Sequence, residues 1–548
     1  MYKPKTHLLA LLLVCAVLLG LTACGTDSGI EPTEEKTVIL IPDPVEHKSC
    51  TDLGTPLADV RVRRALALAI DVDSLIEALY WETGEAAAME GWDYDSQQAK
   101  ELLAEAGWPS DYVLDVVYYQ DDSQTEDLLN VVVQYWEAVG IRAEIRKLEA
   151  DVDAQLWTVP EDPEADSAVK WDLAVCAVSD LTQQHYFERF SSDSSRNSHT
   201  PEVQGLDKAI ADGDAQGMKA ILSEQVFCIP LLYQNGFVCI SDHVDTAGMV
   251  PGNDWFAYDK DILNWITDRE DNTLYTGEMP GENELCPATD PGNLYHELVF
   301  DCLIAADSSL EPGDGGIAES YTFAANGLTG EFVIPEGLLW HDGEPLTAED
   351  VKFTFELYFQ CPDLNPVLTD MLEKLVGAKD FVNGDAEECT GIVVEENKVI
   401  FHFRDRAEDA QVLFSQWPIL PKHKLEKVKP AKLLTHKFWK TPVGSGPFKV
   451  VELEPGKTCL LERWEDYRQA GTGNIDFVRM NAGETAVLAA REMLDYGWGL
   501  STDDGTYIAG LDHMELMTVE RACALNIFIN QYPHESYFTL EESTEPTE

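Results

Sequence analysis

Thr55–Asp71 reads TPLADVRVRRALALAID, and the chain runs on through VDSLIEALYWETG at Val72–Gly84. Pro56 and Asp59 open a helix in which Val62, Ala65, Leu66, Ala69 and Ile70 recur at helical spacing, with Arg61, Arg63 and Arg64 on the other face. Asp71 and Asp73 cap a second helix whose apolar stripe is Leu75, Ile76 and Leu79. Further on, Ser96–Gly107 predicts a helix with Ala99, Leu102, Leu103 and Ala106 on one face and Gly107 closing it. Val113–Tyr119 alternates as a strand, Glu126–Val139 is helical, and Gly140–Leu148 alternates again. Trp171–Val178 (WDLAVCAV) is a buried strand. Strand–helix–strand order at this spacing implies a largely parallel crossover unit, hence an α/β fold.

Ahead of this stretch, Lys3 and Lys5 precede a short apolar run, Leu8–Leu19, and Leu21-Thr22-Ala23-Cys24 ends it on cysteine. The run is short for a membrane span, so residues 1–23 read as a signal peptide. Residues 24–55 form a linker that begins with the polar GTDSGIEPTEE and carries a strand-like VILI at Val38–Ile41. The acidic tail, 531–548, ends in EESTEPTE. The chain holds 99 acidic and 38 basic residues, a formal charge of −61, and losing residues 1–23 removes two lysines to give −63. Such a surface repels nucleic acid and anionic lipid. Beyond Cys15 and Cys24, ten cysteines are scattered from Cys50 to Cys523 without a C-x-x-C pair, which argues against a zinc site and leaves disulfides or buried thiols open.

The rest of the chain supplies phrases with a clear local logic. Leu339–Val351 (LWHDGEPLTAEDV) places a turn at Asp342-Gly343 and an N-cap at Thr347 with Asp350 three residues on. Ile392–Phe403 alternates as a β-ribbon turning at Glu396-Asn397. Leu420–His423 (LPKH), Thr441–Phe448 (TPVGSGPF), Leu453–Tyr467 and the strand Leu525–Asn530 (LNIFIN) follow. Together with DVRVRRALALAID and the IPLLY strand at Ile229–Tyr233, these phrases resemble the peptide-type solute-binding proteins of ABC importers, the oligopeptide, dipeptide and nickel binders. The order is unusual. Residues 56–265 resemble the family's C-terminal half and 274–530 its N-terminal half, so the chain reads as a circular permutant, with a misassembled gene or two fused fragments as the alternative.

The resemblance implies an α/β, two-lobed periplasmic-binding-protein-like fold of type II with the extra domain of peptide binders. It divides the chain into a ligand-binding lobe at 56–235, another lobe at 236–301 and 418–530, and an extra domain at 302–417. In the permuted order one covalent crossing between lobes is expected, near Asn235–Val244, with Asn530 and Pro56 meeting at the hinge. The implied function is capture of a small solute, a peptide or similar, and its delivery to an ABC permease and its ATPase. The protein would be monomeric, carry no cofactor or metal, and be held outside the cytoplasm by a lipid on Cys24, whose LTAC setting resembles a bacterial lipobox. The alternative is a signalling or adhesion lipoprotein that keeps the fold without a transporter. Nothing points to catalysis: His296-Glu297 lacks the second histidine of a zincin helix, and there is no G-x-S-x-G or phosphate-cradling glycine loop. Asp180 is the nearest match to the aspartate that holds a peptide's α-ammonium in the family, and a helix N-cap is its other role. Its loop, SDLTQQHYFERF, is short and carries Val178 where the family has tryptophan. Trp417 and Tyr186 are candidates to line the cleft or to pack a lobe, and Asn530 to act at the hinge or to end a strand.

Overall fold

The computed structural model describes residues 49–534 except 81–83, 88, 90, 121–122, 161–165, 180–181, 195, 249–259, 278, 283, 290–292, 307–311, 363, 366–368, 370–373, 408, 501 and 520–522. Cys24, Val38–Ile41, Asp180 and most of the acidic tail therefore lie outside the described residues.

Helix Val60–Leu68 starts where expected, because the Asp59 carboxylate accepts from the Arg61 N–H, and Asp71 likewise caps Val72–Leu79 through the Ser74 N–H. Arg63 departs from the expected polar face. It is buried, and its guanidinium donates to the carbonyls of Leu57 and Ala58 and to Gln225 and Val226 at the end of helix Ala215–Gln225. Burial lowers its pKa to about 10, so it stays a cation against four carbonyl oxygens. Gly107 closes helix Ser96–Ala106 at φ 70°, a conformation a side chain would strain.

These helices cover one face of a six-stranded sheet. Its order is Gly84–Ala86, Cys228–Gln234, Cys523–Ile529, Leu173–Ser179, Val113–Tyr118 and Arg142–Lys147. The last three strands are parallel, as the strand–helix–strand order predicts. Cys523–Ile529 enters between Leu173–Ser179 and Cys228–Gln234, antiparallel to both. Its residues alternate between two cores: Leu525, Ile527 and Ile529 join Leu66, Leu129 and Trp136, whereas Phe528 joins Trp171, Phe187, Phe190 and Phe227. A strand from the far end of the chain is thus a central layer of the first lobe.

The second lobe holds a seven-stranded sheet, in which Thr273–Thr276 runs parallel to Phe477–Asn481 and Tyr496–Leu500, and a four-stranded sheet, Ser320–Phe323, Thr329–Val333, Lys398–His402 and Ile392–Glu395. One core serves both. Leu274, Leu298 and Val478 pack in the same cluster as Phe332, Phe355, Phe401 and Trp417, and Val238 and Ile262 join Leu274 there. The Thr347–Asp350 capping box forms at the head of helix Ala348–Phe359. TPVGSGPF owes its glycines to close approach: a Cβ at Gly444 would lie 1.8 Å from the Val299 oxygen, and one at Gly446 2.6 Å from that of Leu298.

The lobes are joined twice. Cys228–Gln234 passes through Asn235 into Gly236–Ser241 of the seven-stranded sheet, and Met514–Val519 of that sheet leads into Cys523–Ile529. The two paths run side by side, Gly236 opposite Val519 and Tyr233 opposite Ala524. The single crossing expected from the permuted order is therefore corrected to two, because the chain's late strand crosses before it ends. Asn530 is likewise placed at the end of Cys523–Ile529 farthest from the crossing, about 20 Å along the strand, and not at the hinge. The residues that follow it run back past Gly54, Ser167 and His199. A Cβ at Gly54 would lie 2.8 Å from Pro533 Cγ, Pro533 O accepts from Ser167 N, and Gln531 N donates to His199 O.

Candidate functional site

The surface where the first lobe meets the second is carried by helix Gln183–Glu188, which follows strand Leu173–Ser179 and is capped by Thr182 accepting from His185 N. Two turns of helix present three polar side chains in different directions. Tyr186 turns inward, and its hydroxyl donates to Asn526 Oδ1 at 2.9 Å while its ring packs edge-on against Phe187 and Phe190. Asn526 is fully buried beside a register shift in its pairing with Cys228–Gln234, and its amide donates to Ala524 O at 2.8 Å.

Glu188 turns toward the second lobe. Both of its carboxylate oxygens lie 2.7 Å from Lys374 Nζ, and Gln184 Nε2 donates to Oε1 at 2.8 Å. The pair is mostly shielded, Lys374 keeping 12% and Glu188 18% of its side-chain exposure. Gln184 also reaches the Arg406 carbonyl at 3.4 Å. Close by, a Cβ at Gly213, which ends helix Leu206–Asp212 at φ 67°, would sit 2.9 Å from Arg406 Nε. The lobes thus touch through an ion pair and a glycine-edged turn that meet one side of the four-stranded sheet's loops. A charge-assisted pair of this kind holds position without a large apolar seam and can be opened.

Of the residues singled out from sequence, only Tyr186 lies on this helix among the described residues. Trp417 is fully buried in the second lobe, stacked on Tyr358 with centroids 4.8 Å apart and edge-on to Phe355. Asn530 is also fully buried, its amide donating to Trp171 O at 2.9 Å and Ser167 Oγ at 3.1 Å. Glu188, Lys374, Arg406 and Asn526 were not singled out. Their pairings span 186 residues for Glu188–Lys374 and 340 for Tyr186–Asn526, and no local pattern announces them.

Burial pushes the Cys228 thiol, next to Tyr186, up to about 12, with the Tyr186 hydroxyl bond acting against it, so it stays protonated. Nine cysteines among the described residues are buried. No group of three or more histidine, cysteine or acidic side chains among the described residues could hold a metal ion, and no described helix is long and apolar enough to cross a membrane.

Comparison with known proteins adds the family. The oligopeptide-binding protein AppA of Bacillus subtilis is 30% identical over 192 residues, 35% of this chain and 33% of that protein. A Brucella ovis protein named as an ABC transporter peptide-binding protein is 27% identical over 194 residues, 35% of this chain and 34% of its own length. The chain thus spans about a third of the length of the curated relatives it matches. Among solved structures, AppA in complex with a nonapeptide is similar over 43% of this chain and 45% of that one, at 24% identity and a TM-score of 0.34. Lactococcal OppA, complexed with an endogenous peptide in the closed conformation, is similar over 44% and 47%, at 19% identity and a TM-score of 0.35. The family model described as bacterial extracellular solute-binding proteins, family 5, middle, matches residues 46–187 and 314–496. Because that match runs through both lobes and takes in more than half of the residues, the chain belongs to the bacterial extracellular solute-binding proteins, family 5.

Proposed function

We propose that this protein captures a peptide or similar small solute between its two lobes and hands it to an ABC import permease, without catalysis. The observation that carries the reading is the mechanical design: two separately cored lobes, two adjacent strands crossing between them, and a polar contact at Glu188–Lys374. Such a pair of lobes can close on a solute with little internal rearrangement, since strand pairs bend where one sheet ends and the next begins. The peptide class is suggested by the names of the sequence relatives. Asp180, which follows the last residue of strand Leu173–Ser179, is the proposed anchor for an α-ammonium group, and Tyr186, three residues into the helix after it, a proposed wall of the cleft. Cys24, in its LTAC setting, is the proposed lipidation site that tethers the monomer outside the cytoplasm.

The chain order is proposed to be a working circular permutation. Its support is the meeting of the first and last described segments. Tyr112 donates to Asp172 Oδ1 at 2.6 Å with Thr55 beside it, and Asp172 also pairs with His534 at 3.3 Å, so Thr55 and His534 come together around one polar cluster. The old ends are bridged by a loop that carries Arg269, whose guanidinium lies on Asp495 at 2.7 and 2.8 Å and over the Tyr275 ring.

The test is native mass spectrometry of the protein purified from its own cells or from an expression host grown on peptide-rich medium. A captured mass that fragments as a peptide, and that Asp180→Asn loses by about ten- to a hundredfold in affinity, is the expected result. A protein that carries no solute and binds none from a peptide mixture would overturn the capture reading.

A further inference from the structure

The four-stranded sheet carries a feature that solute capture does not use. A cavity of about 560 Å³ runs between helix Ala348–Phe359 and the strand Ile392–Glu395, which is the end strand of its sheet. The helix side is a single stripe, Glu349, Lys352, Phe353 and Glu356, spaced three and four residues apart. On the other side lie three consecutive strand residues, Ile392, Val393 and Val394. Consecutive residues of a strand point to opposite faces, so a cavity touching all three runs along the strand's edge and not over one face.

The pairing fixes which backbone groups look into it. Glu395 faces Lys398 across the two-residue Glu396-Asn397 turn, and His402 N donates to Gly391 O at the other end. In an antiparallel ladder bonded and non-bonded residues alternate, so Gly391, Val393 and Glu395 address the neighbouring strand, and Val394 turns its N–H and C=O to the open side. An open edge of this kind is a template for another strand.

The charges along the groove say what that strand carries. Three carboxylates, Glu349, Glu356 and Glu388, stand beside two ammonium groups. Lys422 is engaged by Glu349 at 2.9 Å, and Lys352 by Glu388 at 2.5 Å, which leaves Lys352 3.9 Å from Glu356. The Glu356 carboxylate accepts the Cys389 N–H at 3.0 Å, and burial pushes its pKa up. A further cation in the groove would meet that carboxylate, and the chain's net charge of −61 favours a basic visitor within the screening length of the medium, about 10 Å at 0.1 M salt.

We propose that this groove receives an extended, lysine- or arginine-bearing segment of a partner protein, added as a fifth strand beside Ile392–Glu395 with a cationic side chain on Glu356. Main-chain bonds to Val394 give the affinity, and the helix stripe selects the charge. The site is independent of the cleft between the lobes, since its walls lie wholly within the second lobe.

The probe is a fluorescein-labelled hexapeptide of alternating valine and lysine, with a valine–glutamate hexapeptide as its counterpart, titrated against the full chain. Hydrogen exchange is expected to slow across 391–395 with the lysine peptide only. Val394→Pro removes the outward N–H at an edge position where proline is tolerated, and is expected to weaken binding at least tenfold. Glu356→Gln, a nearly isosteric change, is expected to weaken it about tenfold, the worth of one charge-assisted bond. Protection confined to 183–188 or to other segments, equal binding of the glutamate peptide, or unchanged affinity in the Glu356→Gln protein would each overturn the proposal.

Discussion

At the scale of single residues, burial decides what each titratable group can do. His199 is fully buried among Trp157, Trp171, Phe190 and Phe528, and desolvation, aided by the Arg189 charge, pushes its pKa down to about 3. In the unfolded chain the same imidazole titrates near 6.5, so from there downward the unfolded state takes up a proton that the folded state refuses. Stability contributed by the neutral ring is present above about pH 6.5 and is lost as pH falls toward 3, by about 1.4 kcal/mol per pH unit. His341, half-buried and donating to Gly446 O, is pushed down to about 4 by desolvation and adds a similar slope. His534 works with the opposite sign. Burial lowers its pKa, but the bond to Asp172 outweighs this and raises it, so its contribution is present below the unfolded value and fades as pH rises through the folded one. His199→Phe should therefore flatten the pH dependence of urea unfolding between about pH 6 and 4 by roughly 1.4 kcal/mol per unit. An unchanged slope would mean that the cage admits the proton.

Among elements, helix Gln183–Glu188 couples the two lobes. It is short and capped by one threonine, yet it ties Asn526 of the crossing strand to Lys374 of the second lobe through Tyr186 and Glu188. Lys374→Ala should remove the ion pair without opening a core, so global stability should change by no more than about 1 kcal/mol. The effect should appear in the lobe arrangement. Without solute, small-angle scattering should report a larger radius of gyration, and solute affinity should drop about fivefold as the closed population falls. The exchange of charges, Glu188→Lys with Lys374→Glu, should restore both. A Lys374→Ala protein with unaltered scattering and affinity would reduce the contact to incidental surface pairing.

The whole molecule is held by paths that the linear order conceals. Because both crossings survive in the present chain, rearranging the order should leave the hinge intact. A chain with 271–534 joined through a short glycine link to 53–270 keeps Arg269 with its Asp495 partner in space and closes the gap between Pro533 and Gly54. It should fold cooperatively and bind the same solute within about threefold, a difference of under 1 kcal/mol. Two separate unfolding transitions, or lost binding, would show that the two halves of the present chain do not form one body and would end the permutation reading. Circular rearrangement is tolerated where the positions to be joined lie together, as residues 54 and 533 do.

By itself, the sequence determined the local elements and the family. Caps at Asp59, Asp71 and Thr347, the glycine stop at Gly107 and the parallel strand–helix–strand unit are short-range choices made within a few residues, and they formed as the spacing predicts. The phrases that repeat a family's turns were equally legible, because they serve packing needs such as the close approach of Gly444 to Val299. The tertiary structure alone decided which distant pieces meet. It set Cys523–Ile529 into the middle of the first sheet, made two crossings where one was expected, moved Asn530 away from the hinge, buried Arg63 on four carbonyls and put Trp417 onto Tyr358. The reason is one of range. A cap or a turn is settled by neighbours along the chain, whereas Glu188–Lys374 and Tyr186–Asn526 depend on the order of whole strands in space, which charge and hydrophobic spacing along the chain leave open.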